Sequence, residues 1–197
     1  CLVLGDRIDG LLDTMRRFGL DRFSRFSPAG TGLNVPYAYN TWSYVSLVWA
    51  SACRRGPCRA DFRAARDLVL AIESRLALRG ELADWGCQHN LLEMRQSGYE
   101  HLVASPNAER AWCFDRLADL AAALGEPGGP VWRDRAAAIR AAVRRDLWDA
   151  RAGWFRSLYP DGAAELVYSI QIFDALRAGA CTPGMARAVM AHVREGA

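Results

Sequence analysis

Apolar positions recur at helical spacing along most of this chain. Between residues 3 and 18, Leu4, Ile8, Leu11, Leu12 and Met15 fall on one face. Contacts three and four residues apart are the mark of an amphipathic helix, and Gly19 stands where such a helix stops. Residues 20–38 lose the period and carry Pro28, Gly30, Gly32 and Pro36, which predicts a loop. Residues 40–54 are apolar nearly all round and rich in Trp and Tyr. A helix with no polar face belongs inside, so this one is predicted to be an inner element. Residues 59–78 set Arg and Ala around Phe62, Leu68, Val69, Ile72 and Leu76, the pattern of an outer, half-exposed helix.

The second half repeats the scheme. Ser105-Pro106 reads as an N-cap followed by a first helical residue, and Phe114, Leu117, Ala118, Ala121 and Leu124 form a stripe that ends at Gly125. After the turn Glu126-Pro-Gly-Gly-Pro130, the next helix carries Trp132, Ala136, Ile139, Val143 and Leu147 on one face. Two helices joined by a short turn make an αα-hairpin. Asp149 to Gly153 then turns into Trp154–Tyr159, a predicted short strand pair, and helices at 168–178 and 183–195 follow. The expected fold class is therefore all-α with minor β-hairpin content. A ring of such hairpins places the buried helices around an axis and gathers loops into a concave floor, where a site belongs.

The candidate chemistry lies in the long connection Leu82–Asn107. It holds Asp84, Glu93, Glu100, His89, His101, Trp85 and Tyr99. Connections of this length in compact domains are functional or disordered, and the aromatic and aliphatic content argues against disorder. Carboxylates beside aromatic rings suit sugar cleavage, with acids for proton transfer and rings for stacking. Asp84, Glu93 and Glu100 are the catalytic candidates. Asp84 sits beside Trp85, and a partly dry pocket favours the neutral form that a general acid needs; a helix cap or a loop ion pair is the other reading. Glu93 could instead meet Arg95. Trp85, His89, Tyr99 and His101 are candidates for binding substrate, joined by Tyr39, Asn40 and Trp42 at the start of the inner helix, where core packing competes. His192 and Asn107 read as structural.

Composition narrows the rest. The chain has 197 residues, 51% hydrophobic and 24% charged, with net charge +3, an ordinary globular balance that length assigns to one domain. Every cation is Arg, which with the abundant Ala points to a GC-rich, bacterial genome. The Arg residues interleave with acids, so no nucleic-acid partner is expected. No apolar run spans a membrane. The six Cys lack zinc-ligand spacing, so neither metal nor cofactor is expected, and they read as buried thiols in a reducing, cytoplasmic setting, with a Cys53–Cys58 disulfide as the alternative. Oligomeric state is not legible.

Three stretches resemble the six-hairpin, (α/α)6 toroid glycosidases, nearest to the glycogen-debranching and trehalase-like group. They are Val103–Trp112 with its Asn-Ala helix opening, Asp146–Phe155, and Tyr168–Leu176. The resemblance implies a partial toroid over about residues 40–195, the whole chain being an internal piece of a larger one, and a carbohydrate substrate. It also implies a general-acid carboxylate before the Asn-Ala helix, near Asp84 to Glu93, with its partner in later hairpins. Two other functions fit the same architecture. One is a uronate lyase using Tyr99 as base or acid, with His89 or His101 and Asn90 or Asn40 neutralising the uronate. The other is a toroid that binds carbohydrate or protein without chemistry.

Overall fold

A computed structural model describes residues 7–18, 39–86 and 98–195. It is mostly helical, with small β-hairpins. The chain forms two compact units, one from Cys1–Arg75 and Cys113–Asp134, the other from Leu76–Trp112 and Arg135–Ala197.

In the first unit, α1 (Ile8–Phe18) packs on α2 (Asn40–Arg55), and α2 on α3 (Arg59–Glu73). Leu12, Tyr44, Val45, Val48, Phe62 and Val69 are buried. The Phe62 ring meets Trp132 at 5.9 Å. Trp49 carries the Arg116 guanidinium over its ring at 4.6 Å, a cation–π contact. The turn between α2 and α3 uses Gly56 at φ +87°. Cys53 and Cys58 flank that turn as exposed free thiols, which corrects both the buried-thiol expectation for these two and the disulfide alternative.

The helix predicted to reach residue 78 stops at Glu73. Ala77–Arg79 instead forms β1, paired antiparallel with β2 (Leu82–Asp84) in the register Ala77↔Asp84 and Arg79↔Leu82. Gly80 supplies the positive φ of the tight turn, +58°, and strand pairing outweighs the local helical period there. The predicted connection therefore begins as a strand.

The second unit holds this hairpin, the start of α4 (Ala104–Leu124) and most of α5 (Gly129–Ala142). A π-helical turn, Val143–Leu147, follows α5. Then come β3 (Trp148–Asp149), β4 (Trp154–Leu158) and β5 (Ala164–Leu166) in a three-stranded antiparallel sheet, and α6 (Ile172–Arg177) and α7 (Pro183–Glu195). The α6 helix starts later than predicted because the Ser169 hydroxyl takes the Gln171 N–H at 3.2 Å. Such local side-chain bonds compete with helix formation. His192 is structural, as expected, with Nε2 2.7 Å from the Ala152 carbonyl.

Helix α4 opens at Ala104, one residue before the predicted cap. Ser105 does not cap it; its hydroxyl donates to the Gln171 carbonyl at 2.6 Å, across 66 residues. Asn107 accepts the Ala83 N–H at 2.7 Å and donates to the Ala83 and Val103 carbonyls. Arg110 donates to Asn107 and to the Glu81 carbonyl. This buried amide thus stitches β2 to α4 beside Asp84.

Candidate active site

The backbone closes the site before any side chain does. Trp85 N–H donates to the His101 carbonyl at 3.0 Å, and His101 N–H to the Gly86 carbonyl at 2.9 Å. Leu102 pairs with Leu158, bringing the β4–β5 hairpin alongside. His101 itself sits at φ +58°, the one non-glycine residue with positive φ among the described residues. Strained backbone of this kind persists where its surroundings over-determine it, and it clusters at functional sites.

On this frame Asp84 is an acceptor. Its Oδ1 takes the Gly86 N–H at 2.9 Å and lies 2.9 Å from His101 Nδ1. Its Oδ2 faces Arg79 at 3.4 Å. Three donor groups therefore surround the carboxylate, and the loop ion pair is among them. A carboxylate accepting from Nδ1 fixes the imidazole tautomer and leaves Nε2 to exchange protons. No partner meets Nε2 among the described residues.

Tyr159 completes the wall. Its ring stands 5.5 Å from that of His101, tilted by 57°. Its carbonyl accepts from Arg79 at 3.2 Å, and its hydroxyl donates to Glu165 Oε2 at 3.1 Å. Partial burial, the bond to Glu165 and the charges of Glu165 and Glu100 push the Tyr159 phenol up to about 12. Glu100 is half-buried and makes no hydrogen bond or ion pair with another described residue.

Asp84 and His101 are thus brought together, and Glu100, next to His101 in the chain, acts electrostatically on Tyr159. Tyr99 faces the other way. It is 6% exposed, donates to Ser105 Oγ at 2.6 Å and accepts the Ser105 N–H at 3.0 Å. Burial drives its phenol far above the ordinary range. Trp85 is half-buried against Tyr99, Val103 and Val167, with its indole N–H unpartnered. Tyr39, Asn40 and Trp42 belong to the first unit, where Tyr39 is 2% exposed, Asn40 opens α2 and Trp42 is half-buried. Glu93, His89, and Asn90 lie outside the described residues.

The sequence reading missed Arg79, Tyr159 and Glu165, which arrive from outside the connection. It also missed Glu109, in the second turn of α4. Glu109 has one oxygen 3.1 Å from Arg177 and the other buried without a partner. Desolvation, with Asp174 nearby, pushes its carboxyl up to about 9. A Glu within an apolar inner-helix stripe was the available signal. A cavity of about 320 Å³ lies in the first unit, lined by Met15, Arg16, Tyr44 and Leu68 among others and by none of the candidate residues. Among the described residues no group of three or more His, Cys, Asp or Glu could hold a metal ion, and no helix is long and apolar enough to cross a membrane.

Solved structures that share the fold include a family GH78 rhamnosidase of Bacillus sp. GL1, which matches 96% of this chain with a TM-score of 0.76 at 16% identity and 20% of its own length. A rhamnosidase from Klebsiella oxytoca with rhamnose bound matches 96% of this chain with a TM-score of 0.71 at 13% identity and 40% of its own length. The chain thus spans about a fifth and two fifths of these proteins. No protein-family model and no curated protein matches it. At this identity the likeness is one of fold.

Proposed function

We propose that this chain is part of the catalytic (α/α)6 toroid of a glycoside hydrolase, and that residues 1–197 are an internal piece of that ring. A mostly helical chain with small β-hairpins, whose fold is shared with two rhamnosidases, supports the toroid. The observation that carries the reading of function is the Asp84–His101 pair, with half-buried Glu100 next to His101 in the chain, ahead of the helix that opens at Ala104.

In this reading Asp84 orients His101, whose Nε2 binds sugar hydroxyls, and Glu100 gives a proton to the glycosidic oxygen as its bond to the anomeric carbon breaks, while water adds to that carbon and loses its proton to a second carboxylate. Glu93 stands as the further carboxylate of the same loop, with His89 and Trp85 as substrate contacts. A neutral glycoside is the substrate class, and a rhamnoside the first to test, given the names of the matched proteins. The lyase alternative asks Tyr99 for a free phenol, and that hydroxyl is committed to Ser105 in the core. Hydrolysis is therefore favoured.

The test is cleavage of p-nitrophenyl rhamnoside and related aryl glycosides by the polypeptide at the length its gene encodes, with calorimetric titration of rhamnose alongside. Asp84→Asn should lower kcat on the order of 100-fold, the lower end of what a positioned acid–base group contributes. Wild-type rates in both Asp84→Asn and Glu100→Gln, or neither cleavage nor sugar binding, would overturn the proposal.

A further inference from the structure

We infer that Glu165 is a positioning residue of this site, acting on His101 through Tyr159 and seated there because residue 98 is glycine. The inference rests on the proposed role of the Asp84–His101 pair and extends it to a hairpin far along the chain.

The β4–β5 register sets Glu165 opposite Ser157 and Leu158 opposite Ala164. Leu158 in turn exchanges two backbone bonds with Leu102, at 3.1 and 3.0 Å, next to His101. Glu165 is thereby carried over the segment that leads into the site. Its carboxylate lies directly on Gly98: a Cβ there would come within 2.8 Å of the carboxyl carbon and both oxygens. Gly98 is buried and has φ +98°, so its conformation calls for glycine, and a side chain there would push the Glu165 carboxylate off its seat.

From that seat Glu165 accepts the Tyr159 hydroxyl proton at 3.1 Å. This fixes the Tyr159 ring, which stands against His101. The imidazole is then held at one nitrogen by Asp84 and on its flank by Tyr159. Two restraints suit a residue whose own backbone is strained. Glu165 is solvent-exposed, and a hydrogen bond at the surface adds little to stability. Such a bond matters chiefly for where Tyr159, and hence His101, points.

Two variants separate the charge from the geometry. Glu165→Ala removes the acceptor, whereas Glu165→Gln retains a carbonyl oxygen for the Tyr159 proton. We expect Glu165→Ala to lower kcat about tenfold with KM little changed, as displaced catalytic groups do, and Glu165→Gln to restore most of the rate. Independently of turnover, the ring resonances of His101 in long-range proton–nitrogen spectra should shift in Glu165→Ala and Gly98→Ala. Those of His192, held by the Ala152 carbonyl in the same unit, should stay in place. Unchanged His101 signals in folded Glu165→Ala would overturn the inference. His101 signals that move while Asp84→Asn keeps the wild-type rate would uphold the coupling and overturn the glycosidase reading instead.

Discussion

Two carboxyl clusters in the second unit answer the same problem in opposite ways. Asp84 keeps some solvent and gathers donors on both oxygens: the Gly86 N–H, His101 and Arg79. Glu109 is 2% exposed and has Arg177 on one oxygen only, with the other unpartnered and Asp174 close by. Burying a charge is costly unless donors replace the lost water. Asp84 has those replacements and works as an acceptor. Glu109 has too few, so its carboxyl is pushed up to about 9 and it holds its proton at neutral pH. Proximity to an arginine therefore does not by itself decide what a carboxyl does; the count of donors against the water removed decides it.

The largest effect expected from this contrast is on rate. Asp84→Asn should cost the roughly 100-fold given above, whereas Glu109→Gln should leave kcat within about twofold, since it touches no group of the site. A Glu109→Gln variant as slow as Asp84→Asn would erase the functional difference between the clusters.

Next comes the support of the open cluster. Asn107→Ala removes the amide that joins β2 to α4 and leaves the Ala83 N–H and carbonyl without it. Stranding buried polar groups costs about 1–3 kcal/mol each, so a loss on the order of 3 kcal/mol is expected in urea unfolding. A loss below about 1 kcal/mol would show that water or a shifted side chain takes over.

The pH dependence tests the buried cluster. The folded-state value for Glu109, about 9, lies above its ordinary 4.5. The fold therefore binds a proton that the unfolded chain has already lost. This contribution is fully present below about pH 4.5, declines as pH rises, and is gone above about pH 9. Asp174, raised by its own burial, acts in the same sense. Between pH 6 and 9.5 the wild type should lose a few kcal/mol, order of magnitude only. Glu109→Gln should flatten much of that slope. Equal slopes in wild type and variant would place the alkaline sensitivity elsewhere.

The smallest effect sharpens the assignment of Tyr99 to the core rather than the site. Tyr99→Phe should cost about 1–2 kcal/mol through the lost Ser105 bond and leave glycoside turnover unchanged. A selective loss of kcat at unchanged stability would return Tyr99 to the chemistry.

Local pattern alone identified the helix that begins at Asn40, the stop at Gly125, the strand pair after Asp149, and the long connection that holds Asp84 and His101. These features depend on spacing within a few residues, where period and turn chemistry act directly. Tertiary structure decided the remainder. It ended α3 at Glu73 so that Ala77–Arg79 could pair with β2. It turned Tyr99 inward onto Ser105, and Ser105 onto Gln171. It brought Tyr159 to Arg79 across 80 residues, and set Glu165 on Gly98. None of these partners has a local signature, because each is selected by which surfaces the packed helices and hairpins bring together. The carboxylates were therefore visible in the sequence as residue types, but their donors, and with them their roles, came from segments that only folding makes neighbours.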